Sequence, residues 1–301
     1  MIRNSANGHD DRDCDAASTH PTSRSFVDSI VDHSAMQPDA VCLPSVASSA
    51  NGIDHTHGSA HACRCTSSVP CKRRIVEFCC GPHSRIGGFA ADDCEVVRLT
   101  IAEDLTTHRG VELALAAVAR PGPCLLFAAI PCTGGSPYTF LNWKLGPATR
   151  RKIRSHRAVF RALWANFVVV AEACMSHGGH VAIEWPRGCL YWRRKEVQRF
   201  MSRHAMRCYD FDGCAYGLVS TANATQGRPI KKPWRIASTS PSFDAICRKC
   251  SCCNGEHIRL AGIDTKLSES YTDDLAYRIH HCWSASCSAV EINDAESACT
   301  T

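Results

Sequence analysis

The chain is short of several things that would assign it at once. Aromatic residues make up 7% of its 301 positions, and no apolar run approaches the eighteen or so residues needed to cross a bilayer. The beginning lacks the compact apolar core of a secretory signal. These absences predict an intracellular protein of the nucleus or cytoplasm with no membrane partner. There is no Gly-Lys-Ser/Thr phosphate loop, which disfavours phosphoryl transfer, and no complete GxGxxG, which disfavours a dehydrogenase less strongly. Large apolar residues are sparse before residue 71, where Ser, Ala, Asp and His dominate, so residues 1–70 are expected to be disordered. Neither sign of charge dominates: a formal +5 permits nucleic-acid binding without demanding it.

Cysteine, by contrast, is abundant, with 21 copies. In a chain of this length with buried-strand patterns and no export signal, these are expected as thiols or metal ligands rather than a disulfide scaffold. Organised sequence begins near Cys71. An apolar run at Ile75-Val76 leads into EFCCGPHSRIGG at 77–88, where a turn through Gly81 can bring bare backbone N–H groups against a nucleotide-like ligand. CEVVRLTIAED at 94–104 reads as a second strand ending in Glu103 and Asp104. An acid about 20 residues beyond a glycine turn has the spacing of a ribose-binding carboxylate. Asp104 with Thr106 and Thr107 would equally suit the cap of a helix over 107–119.

CLLFAAI at 124–130 is a continuous apolar strand of the kind buried on both faces. A helix over about 148–176 follows, with Ile153, Val159, Phe160, Leu163, Trp164, Phe167 and Val170 at three- and four-residue intervals. HVAIEW at 180–185 is the next strand, and a shorter helix covers about 193–204. The rhythm predicts an α/β fold: a Rossmann-like, mostly parallel sheet with helices on both faces, spanning 71–240. A Cys/His-rich appendage with a closing helix is expected over 241–283, and a disordered tail over 284–301. Ligands of such sheets sit at the carboxyl ends of the strands. Those ends carry Cys79, Cys80 and Gly81, then Pro131 and Cys132 in IPCTGGSP, then Glu184 and Arg187 in IEWPRG.

The order and setting of these pieces resemble the cytosine-5 DNA methyltransferases, in which a Phe-Gly-rich turn holds S-adenosylmethionine, a Pro-Cys turn supplies the nucleophile and a Glu-Asn-Val strand end supplies an acid. Here EFCCGPHS, PCTGGSP and IEWPRG resemble these in turn, and Tyr216-Gly217-Leu218 with GRPIKKPWRIAS at 227–238 resembles a later element. The resemblance implies S-adenosylmethionine bound by Glu77, Cys79, Gly81, Ser84, Glu103, Asp104 and Pro131. It implies a Cys132 thiolate attacking C6 of a flipped cytosine, Glu184 at N3, and Arg187 or the Gly134-Gly135 dipoles lowering the thiol pKa. This chain departs from the family in its missing second glycine, in Thr133 where Gln is preferred, in Trp185-Pro186 for Asn-Val, and in having no target-recognition domain of the usual size. A second expectation therefore stands beside the first: an inactive relative that binds nucleic acid, DNA ahead of RNA, through basic helix faces and a zinc knuckle.

Two further groups bear on partners. Arg150, Arg151, Lys152, Arg154 and Arg157, then Arg193, Arg194, Lys195, Arg199 and Arg203, then Lys231, Lys232 and Arg235 form basic clusters suited to phosphates, with Trp192 and Trp234 either stacking on bases or packing. In CRKCSCCNGEH at 247–257, Cys247, Cys250, Cys252, Cys253 and His257 have the density of a zinc site, with His280, His281 and Cys282 as further donors.

Overall fold

The computed structural model describes residues 72–251 and 257–299. The segment 1–70, together with Cys252 and Cys253, lies outside the described residues. The strands are β1 (Arg73–Phe78), β2 (Cys94–Leu99), β3 (Cys124–Ala128), β4 (His180–Pro186), β5 (Arg207–Asp212) and β6 (Pro233–Ser238). The helices are α1 (Arg85–Gly88), α2 (His108–Val118), α3 (Thr139–Asn142), α4 (Pro147–Ser176), α5 (Lys195–Arg203), α6 (Ile263–Leu267) and α7 (Asp273–Cys299).

The six strands form one sheet in the order β2-β1-β3-β4-β6-β5. β1 pairs in parallel with β2 and β3, and β3 with β4. β6 runs antiparallel to both β4 and β5. The α/β class expected from the alternating pattern is thus observed, with β6 as the one reversed strand. β3, apolar along its whole length, is buried at every position, because helices cover both of its faces.

One face is covered by α2, α4 and α5. α4 turns Ile153, Phe160, Leu163, Trp164, Phe167 and Val170 onto the sheet, which is the stripe that its sequence spacing dictates. Phe160 stacks on Tyr191 at 3.6 Å between ring centroids and tilts against Trp185 at 6.0 Å, so α4, β4 and the turn after it share one aromatic cluster. By length and composition α4 is apolar enough to cross a membrane, contrary to the reading that no run comes close. Its burying stripe belongs to the core of the sheet.

The other face is covered by α7 and by the 3-10 turn Pro241–Ile246. Leu275, Ile279, Cys282 and Trp283 share a core with Ile75, Leu125 and Ala182. The closing helix, expected to end near 283, is α7, which runs from Asp273 to Cys299. Thr272 caps it, its Oγ accepting from the Leu275 N–H at 3.3 Å. The tail is small and polar, which argues against a core of its own, but Ala and Glu propagate a helix readily once its first turns are anchored by tertiary packing.

Candidate functional site

The sheet order places its switch point between β1 and β3: the chain leaves β1 toward β2 on one side and returns to β3 on the other. In an open α/β sheet that is where a crevice opens beyond the carboxyl ends. β1 ends in a cramped turn. Both Cys79 and Cys80 donate their N–H groups to the Leu99 carbonyl, at 3.1 and 3.2 Å, and this forces Cys79 to a φ of 67°. A buried cysteine in the left-handed region is a strained residue, of the sort that persists where the surroundings over-determine it. Gly81 follows, exposed, with open space where a Cβ would stand.

Glu77 lies just inside this turn and is buried, 2% exposed. Its Oε1 accepts a short hydrogen bond from the Ser84 hydroxyl. Its Oε2 lies 3.9 Å from the Arg98 guanidinium and has no hydrogen-bond partner. Burial pushes the carboxyl up to about 7, against the pull of Ser84 and Arg98. Glu77 therefore titrates near neutrality.

The strand expected to reach Asp104 stops at Leu99, and both acids after it bond locally. Glu103 accepts from the Thr100 N–H at 2.6 Å and the Thr100 hydroxyl at 2.7 Å, closing a capping box over the 3-10 turn Ile101–Glu103. Burial works against ionisation of Glu103, but these bonds hold it below the usual carboxylate range. Asp104 accepts from the Thr106 N–H and hydroxyl, at 3.2 and 2.6 Å. Thr107 itself caps α2, accepting from the Gly110 N–H at 3.2 Å, with Asp104 bracing the turn before it. Beside them a small hollow is lined by Cys79, Thr100, Ile101, Asp104, Leu105, Thr106 and Leu163.

The ends of β3 and β4 meet on the other side of β1. Cys132 is half-buried at φ −91°, ψ 0°, in the bridge region of backbone space where active-site residues recur. Trp185 fixes the preceding turn by donating its indole N–H to the Ile130 carbonyl at 2.6 Å. Pro131 is half-buried within that turn. Burial pushes the Cys132 thiol up to about 11; Glu184 adds to the rise and Lys232 opposes it. Glu184 is 7% exposed, and its Oε1 is buried without a hydrogen-bond partner. Its carboxyl is raised by burial, with Lys232 and a hydrogen bond from Tyr271 opposing.

Lys232 and Tyr271 were not expected here. Lys232, counted with the surface basic clusters, instead turns its ammonium inward to the Ser268 carbonyl and over the Trp234 ring, 4.7 Å from its centroid. Tyr271 stands just before α7 and donates its hydroxyl to Glu184 Oε2 at 2.7 Å. Its ring meets Phe127 and Trp234 edge-on at 5.9 and 6.3 Å. No local spacing could signal a contact 87 residues apart. Arg187, expected to depress the thiol, is exposed and acts on Asp210 rather than on Cys132. Arg235, counted with the basic clusters, forms a bidentate pair with Asp210 at 2.6 and 2.9 Å.

Beyond Cys132, the segment 138–145 presents Tyr138, Phe140, Leu141 and Leu145, each at least half exposed. The guanidinium groups of Arg150, Arg154 and Arg157 surround the Trp143 ring at 6.0, 5.4 and 5.9 Å. A basic start to α4 was expected, but the aromatic residue among its arginines was not Trp192 or Trp234, which are both buried. Arg194 and Arg203 pair with Glu196 and Glu172.

Among the described residues, one group of metal-type donors stands together: Cys214 Sγ, Cys250 Sγ and His257 Nε2, all within 4.8 Å of one another. Two of the five expected ligands belong to it. Cys247 is exposed and is not in the group, and Cys214 was missed because it lies 36 residues before Cys250. His280 Nε2 donates to the Ile86 carbonyl at 2.8 Å, and Cys282 is buried in the core.

The chain matches no known protein-family model, no curated protein and no solved structure.

Proposed function

We propose that this protein is an S-adenosylmethionine-dependent methyltransferase of nucleic acid, acting on cytosine C5 of DNA through Cys132. The observation that carries the reading is the meeting of Cys132 and Glu184 at the ends of adjacent strands, beside the switch point, with Glu184 Oε1 buried and unpartnered. Burial raises the Glu184 carboxyl above its usual range, which favours the protonated form that can donate to a ring nitrogen. That is the chemistry needed at cytosine N3.

The residues at β1 and β2 fit a nucleoside-bearing, cationic cofactor. Ile101, Leu105 and Leu163 offer apolar walls, Asp104 a carboxylate, and Glu77 a buried acid whose Oε2 has no hydrogen-bond partner. The cofactor supplies the methyl group when bound. The protein's part lies with its own side chains. Cys132, as thiolate, forms the S–C6 bond and drives the ring's electron pair to C5, while Glu184 delivers a proton at N3 and neutralises the developing charge. The S–C6 bond breaks again when the C5 hydrogen leaves as a proton. Lys232, which favours the charged thiol, supports the first step.

The test is transfer of radiolabelled methyl from S-adenosylmethionine to mixed nucleic acids, repeated with Cys132→Ser and Glu184→Gln. Label on DNA that disappears in both variants is the expected result. Label that persists in Cys132→Ser excludes covalent catalysis, and absence of both transfer and cofactor binding excludes the reading.

A second reading is favoured by one observation: Tyr271 already occupies Glu184. In that reading the protein is an inactive relative that binds nucleic acid through the Arg150–Arg157 face. It predicts salt-dependent DNA binding that survives Cys132→Ala and Glu184→Ala with no methyl transfer.

A further inference from the structure

Cys214 stands on the 3-10 turn Gly213–Tyr216 that leaves β5, and Cys250 and His257 flank the return of the chain after β6. Three separate backbone contacts bring these stretches together. Asp212 N–H donates to the Arg248 carbonyl at 3.0 Å, the Cys250 N–H donates to Asp212 Oδ2 at 3.0 Å, and the Ile258 N–H donates to the Pro229 carbonyl at 3.1 Å. Asp212 is itself buried, so the bond it makes fixes the backbone of Cys250 rather than tethering a surface loop. His257 Nε2 lies 3.1 Å from Cys250 Sγ and 3.3 Å from Cys214 Sγ.

We propose that Cys214, Cys250 and His257 bind one thiophilic divalent cation, Zn²⁺, which staples the β5–β6 connection to the segment that follows β6. One imidazole nitrogen facing two sulfurs is the soft donor set that selects zinc over magnesium or calcium. Zinc bonds of about 2.3 Å to sulfur and 2.0–2.1 Å to nitrogen put tetrahedral ligand atoms roughly 3.5–3.8 Å apart. The two sulfur–nitrogen separations, 3.1 and 3.3 Å, lie a few tenths of an ångström inside that, so a small outward rotation of the imidazole admits the ion. All three side chains are half-buried, which limits competition from water while leaving a path of entry. Asp212 acts one bond away, holding Cys250 in place as outer-shell partners of metal ligands do. Among the described residues there are three donors, which leaves one tetrahedral position for a further ligand.

The proposal does not depend on methyl transfer, and its test reads the metal directly. Full-length protein, purified under reducing conditions without added chelator, is analysed for metal content and then titrated as apoprotein with Co²⁺. The expected result is one zinc per chain lost in Cys214→Ser and His257→Ala, with Cys247→Ser and Cys208→Ser retaining it. Co²⁺ should give a thiolate charge-transfer band in the near ultraviolet, and in His257→Cys that band should persist and grow by about half as a third thiolate joins the set. Should Cys214→Ser prove too unstable to purify, the Co²⁺ band of wild type against His257→Cys still decides. Zinc content unchanged in both Cys214→Ser and His257→Ala would overturn the assignment, as would reduced wild type that holds no zinc and gives no Co²⁺ thiolate band.

Discussion

The Tyr271 hydroxyl donates to Glu184 Oε2 at 2.7 Å, joining a residue at the threshold of the last helix to the carboxyl end of a central strand. Under the proposed reaction, Tyr271 stands where the base is to meet Glu184. Replacing it with Ala should open the crevice and raise the alkylation rate of Cys132 by iodoacetamide at least severalfold, read by mass spectrometry of the peptide that contains it. An unchanged rate would show that Tyr271 does not shield the thiol. Tyr271→Phe keeps the ring but removes the donor. It should lower the unfolding free energy by about 1–3 kcal/mol, the cost of stranding a buried acceptor. Because the lost bond favours the charged carboxyl, the loss should be larger at pH 8 than at pH 5.

Cys132 should alkylate slowly at pH 7 and about tenfold faster with each pH unit toward its value of about 11, since only the thiolate reacts. Glu184→Gln removes a charge that raises the thiol and should move this profile to lower pH. Lys232→Met removes the opposing cation and should move it higher. Profiles that shift the other way would exclude the electrostatic coupling of the three groups.

Glu77 supplies a prediction on stability against pH. Its carboxyl is at about 7 when folded and near 4.5 when free, so between those values the unfolded chain releases a proton that the folded chain keeps. Stability therefore falls as pH rises through that window and levels off above it. The full difference is on the order of 3 kcal/mol, at about 1.4 kcal/mol for each pKa unit. Glu77→Gln still accepts from Ser84 and should flatten the fall, so the variant should gain on wild type between pH 5 and pH 8 in urea unfolding. Parallel curves would remove Glu77 as the cause.

Trp185 holds the Pro-Cys turn through the Ile130 carbonyl. Trp185→Phe should cost about 2–4 kcal/mol, combining a stranded buried acceptor with a cavity between Trp164 and Trp192. If methyl transfer is observed, this variant should lose rate more than DNA affinity, because it moves the nucleophile and leaves the basic face alone.

The arginines around Trp143 should carry DNA affinity. Replacing Arg150 and Arg154 together with Ala should weaken binding across all sequences and reduce the slope of log affinity against log salt by about 2. A salt slope equal to that of wild type would place the phosphates elsewhere on the surface.

Much of the scaffold was legible because its signals are local. The apolar run Cys124–Ala128 can only be a strand buried on both faces, and the spacing from Ile153 to Val170 can only be one helical stripe. Strand-end Cys132 and Glu184 followed from the same reading, because α/β sheets present chemistry at their carboxyl ends. The acids Glu103 and Asp104 show where such reading stops. Their spacing from the glycine turn suits a ribose, yet Glu103 closes a capping box with Thr100 and Asp104 bonds locally to Thr106.

The sequence by itself determined the α/β alternation, the strand ends and the residues on them, since periodicity and chain breakers act within a few residues of where they are written. Only the tertiary structure decided which groups share an environment. It reversed β6 against β4, turned Lys232 inward, brought Tyr271 to Glu184 and set Cys214 beside Cys250 and His257. Each of these joins residues tens of positions apart, and it is burial and charge within a common crevice, rather than spacing along the chain, that give them their chemistry.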